Sequence, residues 1–437
     1  MFSQKIWQDK GGITGRSIPV VRVIRVHEDR VRFPASRKLM SFTLKLPFPS
    51  PCAECGMESA YHRVERWSLV MDELTQPLFR PLDVITRRVL PLMAPVIDRA
   101  APIVAGGLAR LGLGTLARKP GPYDSETNLA LWSEARVRGI DLRQFYPLGL
   151  RRNLFIARYH GRTCAFEGLP RTGRASASLA WMDDKAEMKK RFQQAGFPVA
   201  RGGACKTEAQ ALTQFHALNA PVVAKPHINT AGRHTTVGIK TESELTTAFY
   251  NAKQLSPRVM IEEELYGPVF RATLINRKLV AVLRRDPPHV IGDGVRTIRQ
   301  LVDEENKNPL RRGPVFAPIA TDDPNISWDS IPVAGKATFF HFKVNWGVGG
   351  TSRDATHEVH PDNWRLFEDI GKYLDDDIVG VDFMIQDIGK SWQAQERCGV
   401  IECNSLPLIG NHHFPYSGPA RNVAGAVWDL VFPRDFS

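Results

Sequence analysis

The sequence predicts an α+β fold, and three observations lead to that prediction. From Asp124 onward, helix signals and β-rich segments follow one another in the order helix, strand, loop, strand, helix, strand, unlike the strict alternation that builds a parallel sheet. The sequence contains no GxGxxG fingerprint of a dinucleotide-binding fold. Hydrophobic residues make up 43% of the 437 residues and charged residues 24%, which excludes a disordered chain. At about 150 residues per domain, we expect two or three globular domains.

The charge balance and the cysteines narrow the class of partner and the compartment. Lysine and arginine total 58 against 46 acidic residues, a net charge of +12 that favours nucleotides, nucleic acid or a membrane surface without choosing among them. The six cysteines are too widely spread for a disulfide framework, so we expect a reducing compartment, the cytoplasm. Residues 1–16 have no apolar core of a signal peptide, and no stretch of 18 uncharged apolar residues predicts a spanning helix.

Residues 1–124 form an N-terminal region of unknown role. Its first part is predicted as short strands, at 18–26 and 42–46, with seven basic residues between 16 and 38. We expect those basic residues to form a solvated strand face rather than a nucleic-acid or lipid contact. Cys52-Ala-Glu-Cys55, followed by His62, has the spacing of half a zinc site, but a structural site needs four ligands, so unpaired thiols in a turn are expected.

An apolar segment at 84–118 is interrupted by charges and by Pro91, Pro95 and Pro102. The prolines predict short helical pieces forming a hairpin that packs on the protein or on a second subunit, giving a possible homodimer. A peripheral membrane anchor is the alternative. Lys119-Pro-Gly-Pro122 is expected to be a linker to the rest of the chain.

From residue 183 onward, the sequence marks where helices begin and where strands lie. Asp184 caps a predicted helix that runs to Ala195, with Glu187 paired to Arg191. Thr207 and Thr241 each begin a capping-box sequence followed by an apolar helical pattern. The predicted strands between and after these helices are 221–224, 236–239, 259–262, 270–275 and 279–283.

Two lysines predict a phosphate site. Lys185 begins a helix, and Lys225 ends the apolar strand Val222-Val-Ala-Lys-Pro226, where a buried ammonium is costly unless it meets an anion. The polar loop at 227–236 can present backbone N–H groups to a polyphosphate, with Arg233 and His234 adding side-chain donors. An ordinary hairpin loop is the alternative for this segment.

Three oxygen-bearing side chains predict a magnesium site. Glu402 and Asn404 point to one face of a strand, and Asp382 can join them from an adjacent antiparallel strand. Such oxygens suit Mg²⁺, which completes its shell with waters and nucleotide phosphates. Polar strand residues facing solvent are the alternative, but apolar neighbours place these strands in the core, where uncompensated carboxylates are costly. Cys403 is expected on the opposite face, in the core.

Taken together, these motifs resemble the ATP-grasp family, and within it the ATP-grasp part of cyanophycin synthetases. The resemblance covers about residues 125–437. It is carried by ten motifs in order: Met182-Asp-Asp-Lys185, Pro221-Val-Val-Ala-Lys-Pro226, Ile261-Glu262 with Gly267 and Arg271, Leu279-Val-Ala-Val-Leu-Arg-Arg285, His289-Val-Ile-Gly-Asp-Gly294, Gly349-Gly-Thr351, Glu358-Val-His-Pro-Asp362, Gly380-Val-Asp382, Ile401-Glu-Cys-Asn-Ser-Leu-Pro407 and Arg421-Asn-Val-Ala424.

The resemblance implies a fold and a reaction. The fold is two α+β subdomains gripping ATP, at 183–262 and 263–437, preceded by an α/β segment at 125–182 and the additional N-terminal region. The implied reaction is ATP-dependent ligation of a carboxylate to an amine through an acylphosphate, releasing ADP and phosphate, with amino acids or a small peptide as substrates. Two Mg²⁺ ions, or Mn²⁺, are implied, and no nucleic acid is expected.

The resemblance also implies roles for individual residues. Lys185 and Lys225 contact ATP phosphates, and Glu262 with Glu263, Glu264 and Leu265 forms the hinge that recognises adenine. Asp382, Glu402 and Asn404 hold magnesium. Arg285 neutralises the transferred phosphoryl group, and Arg421, His289, Thr351 and His412 lie near the substrate.

The chain departs from the family pattern at three positions, one of which is Leu408 after Pro407, where glycine is usual. Val269 stands where a ribose-binding carboxylate is common, leaving Glu264 as a substitute, and Gly380 stands where D-alanine ligases carry an arginine. Two other functions remain open at this point. One is a nucleotide-regulated binding protein that uses its basic N-terminal region on membrane or nucleic acid, and the other is phosphoryl transfer without ligation.

Overall fold

The structure, a computed structural model, describes residues 52, 59–121, 124–150, 153–172, 181–227, 232–312, 316–320, 326–340, 344 and 346–433. The strands and basic face predicted before residue 50 lie outside the described residues. The described residues belong to one compact unit, Pro49–Ser437.

Helices and strands alternate irregularly along the chain. The helices are α1 (Ser59–Arg110), α2 (Glu126–Arg138), α3 (Lys185–Gln194), α4 (Glu208–Ala217), α5 (Glu242–Lys253), α6 (Ile298–Asn306), α7 (Pro361–Leu374), α8 (Gly410–His413) and α9 (Val423–Val431). The strands are β1 (Gly114–Ala117), β2 (Asp141–Pro147), β3 (Leu154–Tyr159), β4 (Arg162–Glu167), β5 (Gly202–Cys205), β6 (Val222–Pro226), β7 (Thr236–Ile239), β8 (Val259–Glu263), β9 (Val269–Ile275), β10 (Lys278–Asp286), β11 (His289–Ile291), β12 (Ala337–Phe339), β13 (Thr351–Asp354), β14 (Ile378–Met384) and β15 (Gly399–Asn404).

The strands form antiparallel sheets, which confirms the α+β prediction. Their orders are β1-β2-β3-β4, β5-β8-β6-β7, β13-β10-β9-β14-β15 and the pair β11-β12. Each pairing between neighbours in these sheets is antiparallel.

The predicted helical hairpin at 84–118 is wrong, because α1 continues through all of its prolines to Arg110. An interior proline removes one hydrogen bond and bends a helix, but it does not reverse the chain. The reversal comes at 111–113, after which β1 pairs with β2. The four-stranded sheet therefore begins ten residues before the boundary expected at 124.

The C-terminal half of α1 packs on one face of the four-stranded sheet. Ala105 is buried against Phe145 and Ile156, and Asp98 accepts a hydrogen bond from the N–H of Ala165 on β4 (2.7 Å). Other apolar side chains of this helix are exposed, Leu92 by 76% and Ile103 by 75%. One part of α1, Leu92–Arg110, is long and apolar enough to cross a membrane by length and composition alone.

A small lobe is built on the sheet β5-β8-β6-β7. Its core lies between this sheet and helices α4 and α5, with Ala211, Leu245 and Phe249 fully buried. Both helices begin at the predicted threonines, and Thr241 forms the complete capping box. Strand alternation sends Val222 and Ala224 into this core and leaves Val223 and Lys225 on the opposite face.

The five-stranded sheet is the centre of the larger lobe. Phe270, Val381 and Phe383 point to one face, where α7 covers them. Helix α3 also packs there through Met188 and Phe192, although its residues were assigned to the small lobe. Met188 and Phe192 are four residues apart, so they lie on the same side of α3 and are buried together in the core of the five-stranded sheet. Cys403 lies in this core, as predicted.

The other face of the five-stranded sheet is divided between core and cleft. At one end Ile275, Ala281 and Ile378 are covered by α9 and α2 in a second core that includes Trp428. At the other end the same face carries Arg271, Asp382 and Glu402, which are lining residues of a cleft. The fold thus brings the charged ends of these strands opposite the small sheet.

Candidate functional site

A cleft of about 640 Å³ lies between the small sheet and the five-stranded sheet. Ten of the residues predicted to bind nucleotide or metal line it: Lys185, Lys225, Glu262, Glu263, Glu264, Leu265, Arg285, Asp382, Glu402 and Asn404. They come from α3, β6, β8, β10, β14 and β15 and from the segment after β8. Elements from both lobes therefore contribute to one site.

Buried lysines and a glutamate line the small-lobe side of the cleft. Glu262 is 3% exposed and forms ion pairs with Lys225 (2.9 Å) and with Lys189. Burial works to raise the pKa of Glu262, but the two ammonium groups outweigh burial and lower it. Glu262 thus holds the two lysines at the cleft wall, in addition to beginning the hinge.

Lys189 is a cleft residue that the sequence analysis missed. It follows Lys185 by four residues on α3, so the helical repeat puts both lysines on the same face. Burial lowers the pKa of Lys189 to about 7, and Glu262 opposes that shift. The spacing Lys-x-x-x-Lys in a helix that begins at the cleft was the available signal.

The acidic residues meet as the strand register predicted. Asp382 on β14 lies directly opposite Glu402 on β15, and Asn404 donates its side-chain N–H to Glu402 Oε1 (3.4 Å). Lys185 Nζ is 3.3 Å from Glu402 Oε2. The lysine at the start of α3 is therefore paired with a carboxylate of the five-stranded sheet in the cleft wall.

Two arginines neutralise Asp382. Arg271 from β9 binds both of its oxygens, and Arg285 Nη1 from β10 lies 3.3 Å from Oδ2. Burial favours a raised pKa for Asp382, but the two guanidinium groups lower it. Gly380 makes room for Arg271, since a Cβ at Gly380 would lie 3.3 Å from the arginine Cδ.

The donor set fits a divalent cation such as Mg²⁺. Asp382, Glu402 and Asn404 offer carboxylate and amide oxygens, the ligands that Mg²⁺ prefers. The hydrogen bond from Asn404 to Glu402 uses the amide N–H and leaves its carbonyl oxygen available as a ligand. The lysine and arginine side chains in the same cleft could neutralise a polyanion bound to such a metal ion.

The hinge after β8 leaves one backbone donor open. The N–H groups of Glu263, Glu264 and Tyr266 donate to carbonyls of the protein, whereas that of Leu265 has no partner among the residues that the structure describes. A free N–H in a cleft wall is suited to an acceptor nitrogen of a purine ring. Glu264 also lines the cleft, where it accepts from the N–H of Gly238 (2.7 Å), and Val269 offers no polar group there.

Arg397 holds this hinge and was not singled out in the sequence. Its guanidinium donates to the carbonyls of Asn219 (2.9 Å), Ala220 (3.3 Å), Pro221 (3.4 Å) and Glu264 (3.3 Å). It therefore ties the turn between β14 and β15 to the start of β6 and to the hinge. No local motif marks it, because its partners are backbone carbonyls far along the chain.

Four side chains that the sequence placed near the nucleotide or the substrate are not among the described residues that line the cleft: Arg233, His234, Arg421 and His412. Arg233 is absent from its wall, although Gly232 and Thr235 are part of it. His234 is buried and bonded to the carbonyl of Asn251, away from the cleft. Arg421 forms an ion pair with Asp354 (2.7 Å), and His412 is 1% exposed, bonded to Thr273 (2.7 Å). Burial lowers the pKa of His412 to about 3, so it is neutral.

His289 and Thr351 line a second cavity of about 410 Å³. It adjoins the cleft along the sheet, because Arg285 pairs with Ser352 and the next residue, Asp286, pairs with Thr351. Its wall carries both signs of charge and a tyrosine, from Asp286, Arg296, Glu304, Glu305, Arg311, Arg353 and Tyr416. Arg285 thus stands between the cleft and a cavity of mixed charge.

Comparison with known proteins identifies relatives. The chain is 32% identical over 280 residues to a cyanophycin synthetase from Trichormus variabilis, covering 61% of this chain and 31% of the relative. It is 30% identical over 269 residues to the glutathione biosynthesis bifunctional protein GshAB of Mannheimia succiniciproducens, covering 58% of this chain and 36% of that protein. The chain thus spans about a third of the length of these relatives.

A solved structure supports the same fold. A bifunctional glutathione synthetase from Pasteurella multocida superimposes with a TM-score of 0.53 at 26% identity, covering 70% of this chain and 43% of its own. No protein-family model matches the chain. With this topology and these relatives, the chain has the ATP-grasp fold, and it resembles the cyanophycin synthetases over about three fifths of its length.

Proposed function

We propose that this protein is an ATP-dependent carboxylate–amine ligase that forms an amide bond through an acylphosphate and releases ADP and phosphate. The observation that carries the proposal is the cleft whose wall combines Lys185, Lys189 and Lys225 with Asp382 and Glu402. The names of the relatives, a cyanophycin synthetase and a glutathione biosynthesis protein, both describe biosynthesis. ATP-grasp ligases use ATP and divalent metal ions.

ATP occupies the cleft with its base at the hinge in this proposal. The free N–H of Leu265 donates to the adenine ring, and Glu264 binds the ribose in place of the missing carboxylate at Val269. Lys185 and Lys225 contact the phosphates, and Lys189 joins them. We also propose Arg233 as a phosphate contact, because Gly232 and Thr235 of the same loop after β6 line the cleft.

Asp382, Glu402 and Asn404 hold two Mg²⁺ ions, or Mn²⁺, beside the phosphates. When bound, these ions supply charge neutralisation and orientation of the triphosphate. Arg285 is suited to the phosphoryl group in transfer, because its buried Nε has no hydrogen-bond partner among the residues described. A planar guanidinium can donate in parallel to two phosphoryl oxygens.

The carboxylate and amine substrates bind in the second cavity, next to Arg285. Its mixed charges suit zwitterionic amino acids or a short peptide, and His289 and Thr351 offer polar contacts. A carboxylate oxygen attacks the γ-phosphorus and ADP leaves. The amine then attacks the acyl carbon, the bond from that carbon to the phosphate oxygen breaks, and the amine proton passes to solvent. Arg421 and His412 position the substrate site indirectly in this proposal, through their contacts with Asp354 and Thr273.

The remaining alternatives have less support. No described feature favours a nucleotide-regulated binding protein that acts on membrane or nucleic acid, and its basic segment lies outside the described residues. Phosphoryl transfer without ligation leaves the mixed charges of the second cavity without a role. The free thiols of Cys52, Cys164, Cys205, Cys398 and Cys403 suit the cytoplasm as the compartment.

We also propose that the exposed apolar face of α1 forms a homodimer contact. Leu92 and Ile103 of α1 are each at least 75% exposed, and Leu111 directly after the helix is 74% exposed, more than isolated surface residues require. Arg99, exposed four residues before Ile103, interrupts the apolar face, which favours a protein partner over peripheral contact with a membrane.

The experiment that tests the ligase proposal is a screen of amino acids and short peptides in pairs, with ADP release as the readout. The expected result is ADP and phosphate formed only when both an acid and an amine are supplied. AMP and pyrophosphate as products would contradict the acylphosphate route. A stable phosphorylated product would instead support transfer without ligation.

A further inference from the structure

Three metal-binding side chains meet outside the nucleotide cleft. Cys52, His62 near the start of α1, and His234 in the loop between β6 and β7 bring a thiol and two imidazoles together across 182 residues of chain. One ligand atom from each lies within 4.8 Å of those of the other two. His62 is 3% exposed and His234 is fully buried. The unpaired thiol expected for Cys52 is thus replaced by a close contact with two histidines.

The spacing matches tetrahedral zinc. Zn–S bonds of about 2.3 Å and Zn–N bonds of about 2.0–2.1 Å, at a tetrahedral angle, put sulfur and nitrogen about 3.6 Å apart. Cys52 Sγ lies 3.6 Å from His234 Nε2. Thiolate and imidazole are ligands that zinc prefers, whereas Mg²⁺ prefers oxygen.

The hydrogen bond on the far side of His234 sets its tautomer. His234 Nδ1 is 2.8 Å from the carbonyl oxygen of Asn251, which can only accept, so Nδ1 carries the proton and Nε2 keeps a lone pair toward Cys52. Zinc-bound histidines usually donate their other N–H in this way. His234 also has a φ of 53°, an uncommon left-handed conformation for a residue other than glycine.

We propose that Cys52, His62 and His234 bind one Zn²⁺ ion, with a water as the fourth ligand. Binding forms the Zn–S bond, breaks the S–H bond and releases that proton to solvent. The ion joins the start of α1 to the loop after β6. Since Gly232 and Thr235 of that loop line the nucleotide cleft, the zinc holds the loop against the cleft. This site and its test do not depend on the ligase activity.

The first test measures zinc content in the full chain. Protein stripped with a chelator is equilibrated with Zn²⁺ in excess Mg²⁺, which occupies the oxygen sites, and is then dialysed and analysed for metal. We expect one zinc per chain in the wild type and loss of it in Cys52→Ser and His234→Gln. The matched controls Cys205→Ala, in the small-lobe core, and His216→Gln, with a side chain 60% exposed, keep their zinc.

The second test identifies the ligand by spectroscopy and mass spectrometry. Co²⁺ in place of Zn²⁺ should give a thiolate charge-transfer band that Cys52→Ser abolishes and Cys205→Ala retains. In the wild type, which needs no substitution to fold, Zn²⁺ should protect Cys52 from alkylation. Equal zinc content in the wild type and Cys52→Ser, or alkylation of Cys52 unchanged by zinc, would overturn the proposal and leave a thiol–imidazole hydrogen bond.

Discussion

At the scale of single residues, the cleft is organised by charge pairing. Glu262 faces two lysines, Asp382 faces two arginines and Glu402 faces Lys185. Removing one partner of a fully buried pair costs about 3–5 kcal/mol, because the other charge is left without compensation. Glu402 is the exception: its side chain is 22% exposed, so water can reach it. It is therefore the carboxylate at which function can be tested with least loss of stability.

Glu402→Gln should abolish most activity without unfolding the protein. The amide removes one of the two negative charges of the proposed metal site, so we expect kcat/KM for ADP release to fall by about 100-fold or more and the Mg²⁺ requirement to rise. The melting temperature should change little. Asp369→Asn on the exposed side of α7 is the matched control, with activity as in the wild type. Wild-type kcat/KM in Glu402→Gln would remove Glu402 from the proposed metal site.

Lys189 gives the site a pH dependence whose direction can be predicted. Burial lowers its pKa to about 7, so above that pH much of the population is neutral in the free protein. A bound triphosphate favours the ammonium, so binding should take up protons and ATP affinity should weaken as pH rises above 7. Calorimetry in buffers of different ionisation enthalpy measures this uptake.

The matched control for that experiment is the neighbouring lysine. Lys190 is exposed, so Lys190→Gln should leave proton uptake as in the wild type, whereas Lys189→Gln should reduce it. Equal uptake by the two variants would assign the titration to another group.

At the scale of elements, regular repeats deliver the side chains to the cleft. The period of two along β14 and β15 sends Asp382, Glu402 and Asn404 to one face, and the i, i+4 spacing on α3 sends Lys185 and Lys189 to the same cleft. The hinge has no such repeat. It depends on Arg397, which connects the turn after β14 to carbonyls around β6 and β8.

Arg397→Ala should loosen the hinge and weaken nucleotide binding. Losing donors to four carbonyls leaves the segment around Leu265 less well positioned, so we expect KM for ATP to rise about tenfold, equivalent to about 1.4 kcal/mol. The kcat value should change less, since the metal and phosphate ligands remain. Arg365→Ala, with a side chain 77% exposed on α7, is the control. A fall in kcat with KM unchanged would contradict a hinge role.

At the scale of the whole molecule, the two lobes meet at the cleft while α1 leaves an apolar face uncovered. The part of α1 near Ala105 packs on the four-stranded sheet, and its other side carries Leu92 and Ile103. This surface can be tested without reference to catalysis.

The double variant Leu92→Lys with Ile103→Lys should separate the proposed dimer. Two ammonium groups on the contact make its burial unfavourable, so sedimentation should give a dimer for the wild type and a monomer for the variant. Val137→Lys, at a residue 69% exposed on α2, is the control and should stay dimeric. A monomeric wild type would reject the dimer.

Much of the cleft could be predicted because its residues lie on regular elements. Asp382, Glu402 and Asn404 were found from strand alternation, Lys225 from its place at the end of an apolar strand, and the helix after Asp184 from its cap. The hairpin at 84–118 was wrong because proline marks a local break in hydrogen bonding, not the path of the chain. Arg421 and His412 were expected near the substrate, but their partners Asp354 and Thr273 come from other parts of the chain.

The amino-acid sequence by itself determined the starts of α3, α4 and α5 and the faces of β14 and β15, because caps and periodicity act over a few neighbouring positions. Only the tertiary structure decided which charges pair, that Arg271 fills the space beside Gly380, and that Cys52 meets His234. Those contacts join residues that are far apart in the sequence, and their geometry depends on how whole sheets and helices pack.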